Sequence, residues 1–148
     1  MRLYFDECCS RRLALELKEF FRADYPDLET THILDFYQMG TWDSTWLKPL
    51  QDDPTLIVVT QDVGRDPKKE KLPVICRALG ITFIAFSPAI IHGGYSIQKR
   101  ALVATWSQMK DVQELPRGTH VRLGLTMARG NIERYELLIK KDGIWRRC

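Results

Sequence analysis

Apolar positions recur along the chain in two rhythms, and these predict its elements. Arg2-Leu3-Tyr4-Phe5 reads as a short first strand. Leu13, Leu17, Phe20 and Phe21 follow at i, i+4, i+7 and i+8, one face of a helix from about Arg11 to Ala23. Ser10 stands where its hydroxyl can accept from an unpaired backbone N–H of that helix. Asp24 to Thr30, with Pro26, reads as loop, and His32-Ile33-Leu34 as a second short strand. Asp43-Ser44 can open a short helix that Pro49 disturbs. Leu56-Ile57-Val58-Val59, bounded by Pro54 and by Asp62-Val63-Gly64, has no polar alternation, which marks a strand buried on both faces. A helix from about Pro73 to Leu79 stops at Gly80, and Ile81 to Phe86 is a fourth apolar strand. Ser96 begins a helix to about Val112, with Leu102, Trp106 and Met109 on one face.

Strands alternating with helices predict an α/β domain built on a central parallel sheet flanked by helices. The order changes after Pro116. Thr119 to Thr126 and Ile132 to Ile139 are strand-like runs, and Gly130-Asn131 between them has the composition of a two-residue hairpin turn. Asp142-Gly143 marks another turn before Ile144-Trp145. The expected layout is a domain over residues 1–115 with a C-terminal antiparallel β extension over 116–148. A ribbon that short is marginal alone. It must pack on the core, pair with a second copy, or pair with a partner chain.

The chain has 148 residues, one domain's worth, and 45% apolar with 28% charged residues is ordinary for a globular protein. No apolar run approaches the ~18 residues of a membrane span. Asp6 and Glu7 so early argue against a secretory signal, so a cytoplasmic protein is expected. The four cysteines form no Cys-x-x-Cys pair, and His32, His92 and His120 lack zinc-site spacing. Vicinal Cys8-Cys9 is expected to be a buried, reduced pair. The net charge of +3 hides an asymmetry. Residues 1–53 carry 6 basic and 11 acidic side chains, whereas 54–113 and 114–148 each carry 8 basic and 4 acidic. An acidic first third beside a basic remainder describes either a carboxylate site next to a nucleic-acid surface or a solvated cationic face.

Ligand sites of open α/β sheets lie outside the carboxyl ends of the strands. Here those ends carry acids. Asp6 and Glu7 follow the first strand, Asp62 follows Ile57-Val58-Val59-Thr60-Gln61, Asp43 opens the short helix, and Asp66 lies four residues past Asp62. Any one of them caps a helix or faces water as readily as it binds a ligand. Asp6, Asp43 and Asp62 gathered at one edge would repel one another unless a cation sat among them. The fitting cation is hard and oxygen-seeking, Mg²⁺ or Mn²⁺. Held by carboxylates, it activates water and stabilises phosphoryl oxygens.

Asp6-Glu7 after a first strand, then a helix, Gly40-Thr41-Trp42-Asp43, and Ile-Val-Val-Thr-Gln-Asp62 resemble the PIN-like domains. The likeness extends over about residues 1–113 and is closest to the compact toxin ribonucleases of toxin–antitoxin pairs (VapC-like), whose members carry a strand-Asp-Glu-Asn start and a later Thr-x-Asp. The resemblance implies a Rossmann-like fold and Mg²⁺-dependent cleavage of RNA. By position, Asp6 and Asp62 would hold the metal, with Asp43 as the second acid and Glu7 or Asp66 in support. It implies a protein antitoxin as partner. The chain departs from the pattern at Cys8, where Asn is common, at Asp43, where larger PIN domains use Glu, and at Gly64-Arg65, which precede Asp66.

Arg65, Lys68, Lys69 and Lys71 lie just beyond Asp62, as a loop that grips RNA phosphates or as a solvated one. Trp42 and Trp46 flank Asp43 and suit either base stacking or core packing, the latter favoured for Trp46. His92-Gly93-Gly94-Tyr95 lacks phosphate-loop spacing and reads as a turn, His32 as structural, and Arg146-Arg147 as a solvated terminus. No Gly-x-Ser-x-Gly occurs. The leading expectation is a metal-dependent endoribonuclease of the toxin type. The alternatives are a catalytically inactive PIN-fold module that binds RNA or protein, and a 5′-nuclease acting on DNA. The β extension is expected to support association, as a homodimer contact or as the antitoxin dock.

Overall fold

The computed structural model describes residues 1–62 and 70–148. The chain runs β1 (Arg2–Phe5), α1 (Arg11–Phe21), β2 (Glu29–His32), α2 (Asp43–Leu47), β3 (Leu56–Thr60), α3 (Leu72–Ala78) and β4 (Thr82–Phe86). It continues through α4 (Pro88–His92), α5 (Gly94–Ala104), α6 (Trp106–Gln113), β5 (His120–Ala128), β6 (Ile132–Lys141) and β7 (Ile144–Arg147). The strands form one seven-stranded sheet in the order β2-β1-β3-β4-β5-β6-β7. The first five strands are parallel, and β6 and β7 continue antiparallel. The mixed α/β sheet with antiparallel C-terminal strands is thus as the sequence pattern predicts. No helix among the described residues is long and apolar enough to cross a membrane.

Two cores account for the apolar runs. In β3, Ile57 and Val59 join a core with α1, α5 and α6, while Leu56 and Val58 join a second core with Trp46 and Leu47 of α2 and Leu72 and Cys76 of α3. Side chains alternate across a strand, so a strand covered on both faces must be apolar throughout. Every residue of β3 and of β4 is buried. β5 continues the first core through Val121 and Leu123, which β6 extends with Leu137 and Ile139. The second core takes Phe83 and Ala85 of β4 and, among the described residues, nothing from β5 to β7. The opposite face of the last three strands therefore carries His120, Arg122, Lys140 and Trp145.

Several local expectations are corrected. β2 is Glu29–His32, and Ile33–Asp35 forms a 3₁₀ turn. The strand ends there because His32 caps the turn: its Nδ1 accepts from Leu34 N–H, and the Asp35 carboxylate accepts from His32 N–H. α1 buries Leu13, Ala14, Leu17 and Phe21, whereas Phe20 is exposed. Ser10 occupies the N-cap position without a side-chain cap bond. The helix expected from Ser96 to Val112 is two helices, α5 and α6, that meet at Thr105, whose hydroxyl bonds back to Ala101 O at 2.8 Å. Gly93 turns the corner between α4 and α5, where a Cβ would lie 2.7 Å from Ile97 Cγ1. The β5–β6 connection has three residues, since Ala128 pairs with Ile132. Asp142 and Gly143 both take positive φ, the primed turn that a two-residue hairpin needs. Cys9 is buried, whereas Cys8 is exposed. Of the three fates open to the tail, packing on the core is met.

Candidate carboxylate site at the strand ends

β1 and β3 are neighbours in register, Phe5 opposite Val59, so the residues that follow them emerge at one edge. Asp6 N–H donates to Val59 O at 3.1 Å and extends the ladder by one bond. The Asp6 side chain is 3% exposed. Its Oδ1 accepts from Cys8 N–H at 3.1 Å and its Oδ2 from the Thr60 hydroxyl. Thr60 Oγ1 in turn accepts from Asp62 N–H at 2.8 Å. One hydroxyl thus ties the end of β1 to the turn that carries Asp62, which gives the Thr in Thr60-Gln61-Asp62 a mechanical role. His32 supports the turn after β1 from β2. Its Nδ1 is an acceptor, so its Nε2 donates, to Cys9 O at 2.8 Å.

Asp43 reaches the edge from the first turn of α2. Trp46, three residues on and 1% exposed, donates its indole N–H to Asp43 Oδ1 at 3.2 Å. Glu70 holds the same turn, accepting from Ser44 N–H and from the Ser44 hydroxyl, both at 2.8 Å. Glu7 accepts from Gly40 N–H at 2.7 Å and so anchors the loop ahead of α2. Burial pushes the Asp6 carboxyl up to about 7, against hydrogen bonds from Thr60 and Cys9 that pull it down, and the negative charge of Asp43 adds to the rise. Burial likewise pushes Asp43 up to about 6, and Asp62, Glu70 and Glu7 raise it further by repulsion. The acids act on one another through space, and their charge is penalised where they stand.

Asp6 and Asp62 therefore follow two paired strands at one sheet edge, and Asp43 is within electrostatic reach of Asp6, Glu7 and Asp62. Asp66, Arg65, Lys68 and Lys69 lie outside the described residues. Lys71 is exposed at the start of α3. Trp46 is core, the reading favoured for it, and Trp42 is 59% exposed beside Asp43. Thr60 and Glu70 are additions that sequence reasoning passed over. Thr60 reads as the last residue of a buried strand, and Glu70 closes a lysine-rich stretch that hides its sign. Among the described residues, no group of three or more His, Cys, Asp or Glu side chains stands ready to hold a metal ion. By donor chemistry the carboxylates suit a hard divalent cation, which would offset the repulsion on Asp43 and the burial of Asp6.

A family model described as a PIN like domain matches residues 1–85, more than half of the chain and all of the strands that bear these acids. Comparison with curated proteins and with solved structures finds no match.

Proposed function

The chain belongs to the PIN-like domain family, and on that footing we propose that it is a metal-dependent endoribonuclease, the toxin of a toxin–antitoxin pair. The observation that carries the reading is the bond pair through Thr60, which fixes Asp6 and Asp62 to one edge while Asp43 faces them from α2. Asp6, Asp43 and Asp62 would hold Mg²⁺ or Mn²⁺. When bound, that ion supplies charge stabilisation at a phosphoryl oxygen and an acidified water. The protein's own part is positioning. Thr60 and Cys8 N–H fix both oxygens of Asp6, Trp46 orients Asp43, and Glu7 and Glu70 brace the loop and helix that present Asp43. Arg65, Lys68, Lys69 and Lys71, which follow Asp62 in sequence, would serve as phosphate contacts, and exposed Trp42 offers a face on which an unpaired base can stack. The antitoxin, or a second copy of the chain, docks on the β extension, where β7 is an open sheet edge and Met127, Ile132 and Ile144 are exposed.

The test is cleavage of single-stranded RNA by the purified protein with Mg²⁺, repeated with EDTA and with Asp62→Asn. Cutting that needs the ion and the acid supports the reading. Cutting that survives Asp62→Asn points to another site. A second reading, an inactive module that binds RNA or protein, is favoured by the lack of a ready three-ligand cluster among the described residues. It requires RNA binding without cutting at any Mg²⁺ or Mn²⁺ concentration.

A further inference from the structure

The layer formed by α2 and α3 stops at β4, and the step it leaves against β5 and β6 is a cleft of about 350 Å³. That volume lies in the range of ligand sites. Ala85 and Pro73 contribute apolar floor, Arg77, His120, Arg122 and Lys140 line it, and Asp62 lines it too, so the cleft opens onto the carboxylate edge. Sheet geometry builds it. His120 and Arg122 alternate with buried Val121 and Leu123, and Lys140 alternates with buried Ile139, so the cations share the face without helix cover. Trp145, paired with Lys140 across the β6–β7 ladder, sets a ring 4.0 Å from the Arg122 guanidinium and 6.0 Å from the Lys140 ammonium. The ring holds these cations in place and leaves their charge intact.

Among the described residues, Arg77, Arg122 and Lys140 form no salt bridge with any carboxylate. His120 stacks on Phe83 at 4.4 Å, and its Nε2 is buried with no hydrogen-bond partner. Burial and the three neighbouring cations hold the ring neutral, with its pKa down to about 4. A pocket lined by three cations is complementary to an anion with several oxygens. Continuity with the Asp62 edge says which anion, namely a chain that carries one phosphate per step and passes through both places.

We infer that this cleft holds the phosphodiester backbone of the single-stranded RNA on one side of the bond cut at the carboxylate edge, with Arg77, Arg122 and Lys140 on phosphate oxygens. The inference rests on the ribonuclease reading above. It assigns the β extension a share in substrate binding that is independent of base sequence, because the contacts are to phosphate.

The test is fluorescence anisotropy of a labelled 12-nucleotide single-stranded RNA in EDTA, over a series of KCl concentrations. Arg122→Gln/Lys140→Gln is expected to weaken binding by roughly 10-fold and to flatten the salt slope by about 1.4, at ~0.7 per phosphate contact. Lys18→Gln/Arg22→Gln on α1 is expected to bind as wild type does. Arg122 is half-buried, so Lys140→Glu at an exposed position decides the matter if the double variant does not fold. Unchanged affinity and slope in the folded variants overturns the inference. Unchanged RNA binding with lost binding of an acidic 12-residue peptide overturns it in favour of a protein partner. Mg²⁺-dependent cutting by the wild type is measured alongside. If the wild type cuts while the variants bind normally, the cleft fails and the ribonuclease reading stands. If the wild type does not cut while the variants lose RNA affinity, the reading fails and the cleft remains a binding site.

Discussion

The carboxylate edge and the cationic cleft are neighbours on one sheet, share Asp62, and carry opposite kinds of frustration. At the edge, burial and mutual repulsion raise Asp6 to about 7 and Asp43 to about 6. In the cleft, burial and three cations lower His120 to about 4. Each region is therefore less charged than its residue types would be in water, and each gains from a ligand of the opposite sign. The edge stands on parallel strands covered on both faces, within the family-matched residues. Most of the cleft stands on strands covered on one face, beyond them. The lesson is that half-covered strands spare one face for charge, whereas fully covered strands confine charge to their ends.

The sharpest way to break the comparison is at the edge. Asp62→Asn is expected to lower Mg²⁺-dependent cutting by more than ~100-fold, since groups that merely support a ligand are already worth about 10–100-fold. A cleft variant lowers it only through RNA affinity, so saturating RNA should rescue the cleft variant and leave Asp62→Asn inactive. Equal rescue of both would erase the distinction. Next in size is Thr60→Val, which keeps the strand's shape and removes the hydroxyl shared by Asp6 and Asp62. About 10–100-fold weaker Mn²⁺ binding by calorimetry is expected, with Thr60→Ser close to wild type. If valine binds Mn²⁺ as well as serine does, Thr60 serves packing alone.

A smaller effect separates the two basic surfaces. Replacing Lys68, Lys69 and Lys71 with alanine is expected to weaken RNA binding by about 10-fold at moderate salt and to flatten the salt slope by about 2. The loss should be similar for every sequence tested, because phosphates carry no sequence. Combined with the cleft pair, the losses should add in free energy if the strand touches both surfaces at once. A combined loss no larger than either alone would place both sets on one contact.

Much of this was legible in the chain. Continuous apolar runs at Leu56–Thr60 and Thr82–Phe86 report cover on both faces, and the acids that end the strands follow from topology. The misreadings were local. Ile33 and Leu34 read as strand, yet the His32 ring caps the 3₁₀ turn that takes them and ends β2. Thr105 breaks a helix whose apolar face runs on unbroken, because the break is made by a bond to the backbone rather than by proline or glycine. Thr60 and Glu70 escaped notice because their roles are set by partners 54 and 26 residues away. The cleft escaped for a different reason. Arg77, Arg122 and Lys140 are scattered in sequence, and the pairing of β5 with β4 and of β6 with β5 brings them together.

The smallest effect expected is a pH dependence of stability at His120. In the unfolded chain the ring takes up a proton near its ordinary value of about 6.5, while in the folded protein it resists until about 4. Between those values the unfolded state binds more protons, so the stability present above pH 6.5 is lost as pH falls towards 4. The ring is only half-buried and solvent screens part of the repulsion from Arg122, Arg77 and Lys140, so the loss should be about 1 kcal/mol rather than the full equivalent of the shift. Carboxylates titrate in the same window, so the readout is the difference between wild type and His120→Gln in urea melts at pH 7 and pH 4.5. The gap between the two proteins should narrow or reverse on acidification. Parallel curves would mean that the cations do not act on the ring. The RNA-bound protein offers the complementary measurement. A phosphate among Arg77, Arg122 and Lys140 offsets their charge, so the His120 ring resonance should titrate at higher pH with RNA than without. A midpoint that stays put while RNA is bound would put the strand elsewhere.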